Sequence, residues 1–178
     1  MARRREDLNA LHVRTQTYHV ASRTAVIAVG SNLGDRRAAI AFAVDQLSRL
    51  IPDLTLSDIV ETEPEGDGLS DQPLYLNAVM VGATEISAAD LLEELHRIEA
   101  AFGRTRPAPG AARTLDLDLV LLGDEMINEP GLQVPHPRFR ERFFVLGPLA
   151  ELAPDLRDPV TGLRIWEVLR ALLGNDSR

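Results

Sequence analysis

The stretch Arg113-Thr114-Leu115-Asp116-Leu117-Asp118-Leu119-Val120-Leu121 alternates apolar and polar residues and reads as a β-strand. Strand side chains point to opposite faces with a period of two. Leu115, Leu117, Leu119 and Leu121 therefore share one face, suited to a core, and Asp116 and Asp118 share the other. Strand rise separates the two aspartate Cα atoms by about 7 Å. Carboxylates this close on an apolar strand repel each other and resist desolvation. A hard divalent cation relieves both effects. Magnesium takes one or two carboxylates plus substrate phosphates, and two such ions bracketing a phosphate chain form a known catalytic arrangement. The competing reading is a half-exposed strand with an ordinary wet face. The residues just upstream favour the metal.

Arg104-Thr105-Arg106, an irregular Pro107 to Ala112, and Arg113 lead into the strand. Guanidinium forks match phosphate oxygens at two points. Arginines beside two carboxylates are therefore the parts of a phosphate site. The Ala/Pro/Gly loop between them is suited to folding over a ligand. Surface solvation, with pairing to Asp116 or Asp118, is the plainer alternative.

Bulk composition narrows the field. At 178 residues, 45% of them hydrophobic, the chain suits one globular domain with a real core. There is no Cys, which excludes disulfides, thiolate metal sites and cysteine nucleophiles and fits a reducing cytoplasm. No apolar run approaches the roughly 18 residues of a membrane span. Net charge is −8; residues 1–23 carry five arginines against Glu6 and Asp7, so the remainder holds −11. A body this acidic argues against general nucleic-acid binding. A polyanion must then be met by a local cationic patch or by metal. All 19 basic residues are Arg. Without Lys there is no P-loop and no Schiff base, and no G-x-G-x-x-G occurs.

Residues 1–23 lack hydrophobic periodicity and read as a mobile tail, with His12 and His19 incidental; residues 24–178 read as one domain. Thr24 to Gly30 is a buried strand. Gly30-Ser31-Asn32-Leu33-Gly34-Asp35 turns the chain: its glycines allow positive φ and Asp35 can cap a helix. A tight strand-to-helix turn is favoured over a phosphate loop. Ile40, Ala43, Val44, Leu47, Leu50 and Ile51 mark a helix stopped by Pro52. Leu54 to Val60 forms a second strand, and Glu61 to Pro73 a loop long enough to suggest function.

Leu74 to Thr84 is a third strand, with Leu74, Leu76, Ala78 and Met80 on one face and Tyr75, Asn77, Val79 and Val81 on the other. Asn77 must find partners, either in a neighbouring loop or on a flat heterocycle that one amide can read in its plane. Ser87 and Asp90 form a capping box ahead of a helix through Leu91, Leu95, Ile98 and Phe102, closed by Gly103. His96 and Glu99 neighbour each other on it, as a surface pair or a site rim.

A short turn-rich stretch follows Gly123-Asp124. Prolines on both sides restrict His136: a fixed imidazole could donate to a phosphate, and alone it more often is a structural loop histidine. Arg138 to Leu146 reads as a helix with Phe139, Phe143 and Leu146 on one face and Arg142 near them. Ile165, Trp166, Leu169, Leu172 and Leu173 form a last helix, Trp166 in its core stripe. The order strand, helix, strand, strand, helix, strand predicts an α+β fold. It is the ferredoxin-like β-α-β-β-α-β pattern, an antiparallel sheet with helices on one face and further C-terminal helices.

Five motifs stand in order: Gly30-Ser31-Asn32-Leu33-Gly34-Asp35, Asp71-Gln72-Pro73-x-Tyr75-Leu76-Asn77-Ala78, Gly103-Arg104-x-Arg106, Arg113-Thr114-Leu115-Asp116-Leu117-Asp118 and Val134-Pro135-His136. With them, the sequence from about Thr24 to Leu173 closely resembles the 6-hydroxymethyl-7,8-dihydropterin pyrophosphokinases of folate synthesis. The resemblance implies Mg²⁺-dependent transfer of an intact pyrophosphoryl group from ATP to the pterin hydroxymethyl group, releasing AMP. It implies that Asp116 and Asp118 hold two Mg²⁺ ions. Arg104, Arg106 and Arg113 would hold the triphosphate, with Arg104 and Arg113 also catalytic, and His136 and Arg142 would add phosphate contacts. His96 and Glu99 match the adenosine end. Asn77 and Thr62 would bond the pterin edge, with Tyr75 and Phe144 lining or stacking on the ring. A cytoplasmic monomer acting on ATP and the pterin, with no nucleic acid and no membrane, is the expected form. The chain departs from the family pattern at Pro109 (usually charged), at Glu65 (commonly apolar), at Pro137 (where an aromatic can stand), and in a loop from Pro107 to Ala112 without an aromatic ring.

Overall fold

In the computed structural model, which describes residues 21–65, 71–104 and 111–175, the organising element is a strand buried along most of its length. This strand, β1 (Arg23–Ser31), lies between two others. One neighbour is β4 (Tyr75–Thr84) and the other is β5 (Asp116–Leu122), both antiparallel to it. Two short strands, β2 (Thr55–Leu56) and β3 (Val60–Thr62), pair with β4. The expected single strand from Leu54 to Val60 is therefore split. Its registers differ by one residue across Ser57, whose hydroxyl accepts the Val79 N–H in place of a ladder bond.

Two helices cover one face of this sheet. α1 (Arg36–Ser48) begins at the Asp35 cap, which accepts the Ala38 N–H at 3.0 Å. α2 (Ala88–Ala101) begins at Ser87, whose hydroxyl takes the Asp90 N–H and donates to the Asp90 carboxylate. Gly103 then leaves α2 at φ +83, a conformation suited to glycine. Ala39, Ile40, Ala43 and Leu47 of α1, and Leu91, Leu95 and Ile98 of α2, pack with Ile27, Met80, Leu117 and Leu119. The core of the sheet thus follows the ferredoxin-like order read from the sequence.

The added C-terminal helices, α3 (Phe143–Leu152) and α4 (Ile165–Asn175), cover the opposite face. Val145, Leu146 and Leu149 of α3 and Ile165 and Val168 of α4 pack there with Val26, Ala28, Val79, Val120 and Leu121. Leu121 is a correction to strict alternation in β5. Val26 pairs with Leu121 and Ile27 with Leu119, so Val120 is an inserted bulge residue. The bulge sends Val120 and Leu121 to the second core and returns Leu122 to the first.

Other expectations are revised on this side of the molecule. The stretch Arg138 to Leu146 is not one helix. A 3-10 turn at Phe139–Glu141 ends in an extended Arg142 (φ −103, ψ 102), and α3 starts afresh. That break leaves Phe139 fully buried and turns Phe143 out to solvent. Trp166, placed in the core by its stripe, is 38% exposed under the Arg170 guanidinium. α4 packs through Ile165 and Val168, three apart on one face, and Trp166 lies round the helix from them. The stretch after Gly123 forms a hairpin of β6 (Ile127–Glu129) and β7 (Leu132–Val134), with Gly131 at φ +84 in its turn. Among the described residues, no helix is long and apolar enough to cross a membrane.

Candidate active site

The register of three strands sets the site. Gly30 pairs with Asn77 of β4 on one side and Asp116 of β5 on the other; Ala28 likewise sits between Val79 and Asp118. Directly paired residues project to the same face. An amide and two carboxylates therefore stand over a floor made of glycine and alanine, on the face covered by α3. Gly30 does not have positive φ, which corrects its reading as a turn glycine; among the residues of its motif only Gly34 does. What Gly30 supplies is room. A Cβ there would lie 2.9 Å from Asn77 Oδ1 and 3.7 Å from the Tyr75 ring.

Two cavities open from this floor. The first, about 260 Å³, is lined by Thr62, Tyr75, Asn77, Arg138, Arg142 and Phe144. The second, about 560 Å³, is lined by His96, Glu99, Arg104, Gln133 and His136 among others. Arg113, Asp116 and Asp118 line both. The structure thus gathers the expected pterin residues in one cavity and most of the expected nucleotide residues in the other, twice as large. Arg142 falls in the first, one carboxylate away from the second. Arg106, and the loop through Pro109, lie outside the described residues.

Charge is arranged densely where the cavities meet. Asp116 pairs with Arg113 at 2.5 Å and Arg104 at 2.8 Å. Asp118 faces Arg142 at 3.2 Å and His136 Nε2 at 3.8 Å. Glu99, only 2% exposed, accepts the Leu117 N–H at 2.8 Å and also bonds Arg104, so α2 fixes both β5 and Arg104. Burial opposes the charge on Arg113, but the Asp116 carboxylate outweighs it and the pKa is raised, so the group stays cationic. Burial also lowers the His136 pKa; Asp118 opposes the shift, while Arg142 and Arg138 add to it. His136 Nδ1 accepts the Arg138 N–H at 3.2 Å, which leaves Nε2 as the donor facing the carboxylates. For Tyr75, burial raises the phenol pKa, keeping a neutral ring against the first cavity. Asn77 Nδ2 donates to Thr62 Oγ1 at 2.9 Å, so its carbonyl is oriented and Thr62 reinforces it.

The fold also uses a residue that sequence reasoning took only as part of a turn. Asn32 is 1% exposed. Its Oδ1 accepts the Arg113 N–H at 2.7 Å, and its own N–H donates to the Arg113 carbonyl at 3.0 Å. Its Nδ2 donates to Gln72 Oε1 and to the Pro73 carbonyl. Ser31 Oγ adds a bond to the Thr114 carbonyl at 2.7 Å. One turn thereby ties together the entries to β4 and β5, and with them the two cavities. The signal in the sequence was a pair of small polar residues directly after a buried strand.

Comparisons with known proteins give the family of the chain. The sequence model of the 7,8-dihydro-6-hydroxymethylpterin-pyrophosphokinase (HPPK) family matches residues 26–154. The chain belongs to this family. It is accordingly an enzyme, an ATP-dependent diphosphotransferase of folate biosynthesis. Over 148 residues it is 42% identical to the 2-amino-4-hydroxy-6-hydroxymethyldihydropteridine pyrophosphokinase of Pseudomonas aeruginosa, covering 82% of this chain and 89% of that one. The Bacillus subtilis protein of the same name is 39% identical over 152 residues, covering 80% and 90%. A solved Plasmodium falciparum HPPK-DHPS structure superposes with a TM-score of 0.69 at 13% identity, over 91% of this chain and 46% of that one. That likeness bears on the fold alone, and this chain spans less than half of that longer protein.

Proposed function

We propose that the chain transfers the β,γ-pyrophosphoryl group of ATP to the hydroxymethyl oxygen of 6-hydroxymethyl-7,8-dihydropterin, releasing AMP and the pterin methyl diphosphate. The observation that carries this reading is the junction: Arg113, Asp116 and Asp118 line both cavities, so an acceptor in one can meet a phosphate chain laid across from the other.

Asn77, steadied by Thr62, reads the edge of the pterin ring, while Tyr75 and Phe144 hold its faces. Arg104, Arg106, Arg113, Arg142 and His136 take the triphosphate. His96 lines the adenosine end, and Glu99 acts there by holding Arg104. The acceptor oxygen forms a bond to the β-phosphorus in line as the bridging bond from the α-phosphate oxygen breaks. AMP departs with that oxygen, and the hydroxyl proton passes to solvent. Arg104 and Arg113 stabilise charge spreading over the transferred group, so catalysis is mostly positioning and electrostatics.

The residues present fit magnesium. Hard cations of this size use one or two carboxylates and complete their shell with substrate phosphates and water. Asp116 and Asp118 are such a pair, and the described residues contain no group of three or more metal-ligating side chains that would mark an all-protein cage. Arg104 Nε and Arg142 Nε are buried without a hydrogen-bond partner among the described residues, which leaves donors for an anion. Two Mg²⁺ ions held by Asp116 and Asp118 would supply neutralisation of the triphosphate and polarisation of the β-phosphoryl group. Arg104 and Arg113 pair with Asp116, and Arg142 with Asp118, so the guanidinium groups suited to phosphate stand beside the carboxylates suited to the metal.

The working form is a cytoplasmic monomer with a single catalytic domain; the expected boundary after residue 23 is corrected, because Arg23 already pairs with Thr84 in β1 and bonds the Ile86 carbonyl, while residues 1–20 lie outside the described residues. The decisive assay incubates purified protein with ATP, Mg²⁺ and the hydroxymethyldihydropterin and separates the products. AMP and pterin diphosphate in equal amounts are expected, with the reaction stopped by EDTA. Release of inorganic pyrophosphate with adenylylated pterin would assign nucleotidyl transfer instead.

A further inference from the structure

Asp158 lies in the connection between α3 and α4, outside the lining of either cavity, yet it is fully buried. Its carboxylate is grasped at two points by Arg140, Nε to Oδ2 at 2.7 Å and Nη2 to Oδ1 at 2.5 Å. Thr161 Oγ1 donates to Oδ2 at 2.6 Å and the Val160 N–H to Oδ1 at 3.1 Å. The backbone around it is closed by Asp158 N–H to the Leu163 carbonyl and Gly162 N–H to the Asp158 carbonyl. On the other side, the Arg140 guanidinium lies 4.5 Å from the centre of the Phe139 ring, and Phe139 is packed into the second core.

A buried ion pair of this kind adds little net stability over a well-packed apolar pair, but it fixes geometry. What it fixes here is a segment of catalytic interest. Arg140 stands between His136 and Arg142, four residues after the first and two before the second, and both of these face Asp118. Apart from one 3-10 turn the segment has no regular structure, and one bond from the His136 N–H to the Val120 carbonyl ties its start to β5. Phe139 seats the middle of the segment in the second core and the first turn of α3 bonds the Arg142 carbonyl; Arg140 adds a directional polar anchor between them, and Asp158 holds Arg140.

We propose that Asp158 is a positioning residue for the phosphate end of the site, acting through Arg140 to keep His136 and Arg142 in register with Asp118. The inference rests on the function proposed above. It extends the working site to a carboxylate that touches no substrate.

The test titrates the full-length protein with α,β-methylene-ATP and Mg²⁺ by calorimetry. Asp158→Asn keeps the size of the side chain and is expected to raise the Kd about tenfold. In a His136→Ala/Arg142→Ala background the same substitution is expected to change the Kd less than twofold, because the groups it positions are gone. Arg140→Lys, which keeps the charge but loses the two-point grip, is the milder companion and is expected to weaken binding about threefold. A merely structural pair would lower Tm while leaving the Kd of the folded protein unchanged. That result, or an equal tenfold loss in both backgrounds, overturns the inference alone. Wild-type protein that binds no analogue at all overturns the proposed function, and the inference with it.

Discussion

Gly30→Ala is the smallest change that separates the two halves of the site. Gly30 has no positive φ, so alanine fits the backbone, and relief of unfolded-state entropy adds about 0.4–1 kcal/mol of stability. The new Cβ, however, would stand 2.9 Å from Asn77 Oδ1. An ordinary carbon–oxygen contact is about 3.3 Å or more, so the amide must retreat by about 0.4 Å. It cannot do so freely, because Asn77 is buried and its Nδ2 is bonded to Thr62. Losing that bond, or the bonds the amide would make to a ring edge, leaves buried polar groups unpaired at about 1–3 kcal/mol. The pterin Kd should therefore rise about 10- to 100-fold. Asp116 Cβ, at 4.0 Å from the added carbon, is in ordinary contact and need not move. Nucleotide affinity should stay within about twofold by the same reasoning. Calorimetric titration with the pterin, and separately with α,β-methylene-ATP and Mg²⁺, measures both. Equal weakening of the two ligands, or unchanged pterin affinity, would refute the geometric argument.

Three further outcomes are expected. Asp116→Ala and Asp118→Ala should each nearly abolish turnover in the coupled AMP assay while the thermal melt stays cooperative; full activity in either would remove the metal pair from the mechanism. Arg113→Ala should lower kcat by about 10²–10³, the scale for one charge-stabilising donor, and an unchanged rate would exclude it. Acid stability should depend on Asp158. Burial pushes its carboxyl pKa up, but bonds from Arg140, Thr161 and the Val160 N–H outweigh this and hold it below the usual value. Its contribution is then complete above about pH 4 and is lost as pH falls from there toward the lowered folded value, because the unfolded chain takes up the proton first. Urea melts between pH 5 and pH 2, as rough limits, should show a shallower acid limb for Asp158→Asn; superimposable limbs would contradict the assignment.

Much of this molecule was legible in residue order. The spacing Asp116-x-Asp118 placed two carboxylates on one strand face, and Ser87 and Asp35 announced the helix starts they cap. These signals are local: a strand period of two and a capping hydroxyl act within a few residues. Errors arose where local pattern met distant packing. Leu121 breaks alternation because its strand must match the register of β1, and nothing in β5 alone records that bulge. Phe143 and Trp166 carry apolar side chains at helical spacing, but which face is covered depends on elements far away in sequence.

Sequence by itself determined the inventory: the order of strands and helices, a lysine-free and cysteine-free chain, and paired acids near arginines. Only the tertiary structure decided how that inventory becomes a site. Gly30, a turn residue in sequence terms, proved to be the empty floor between Asn77 and Asp116. Asn32, read only as part of a turn, and Asp158, unremarked in one dimension, proved to hold the segments that carry Arg113, His136 and Arg142. The physical reason is that chemical type and short-range periodicity belong to neighbours along the chain. Cross-strand register, burial and the closing of hydrogen bonds belong to residues brought together only by the fold.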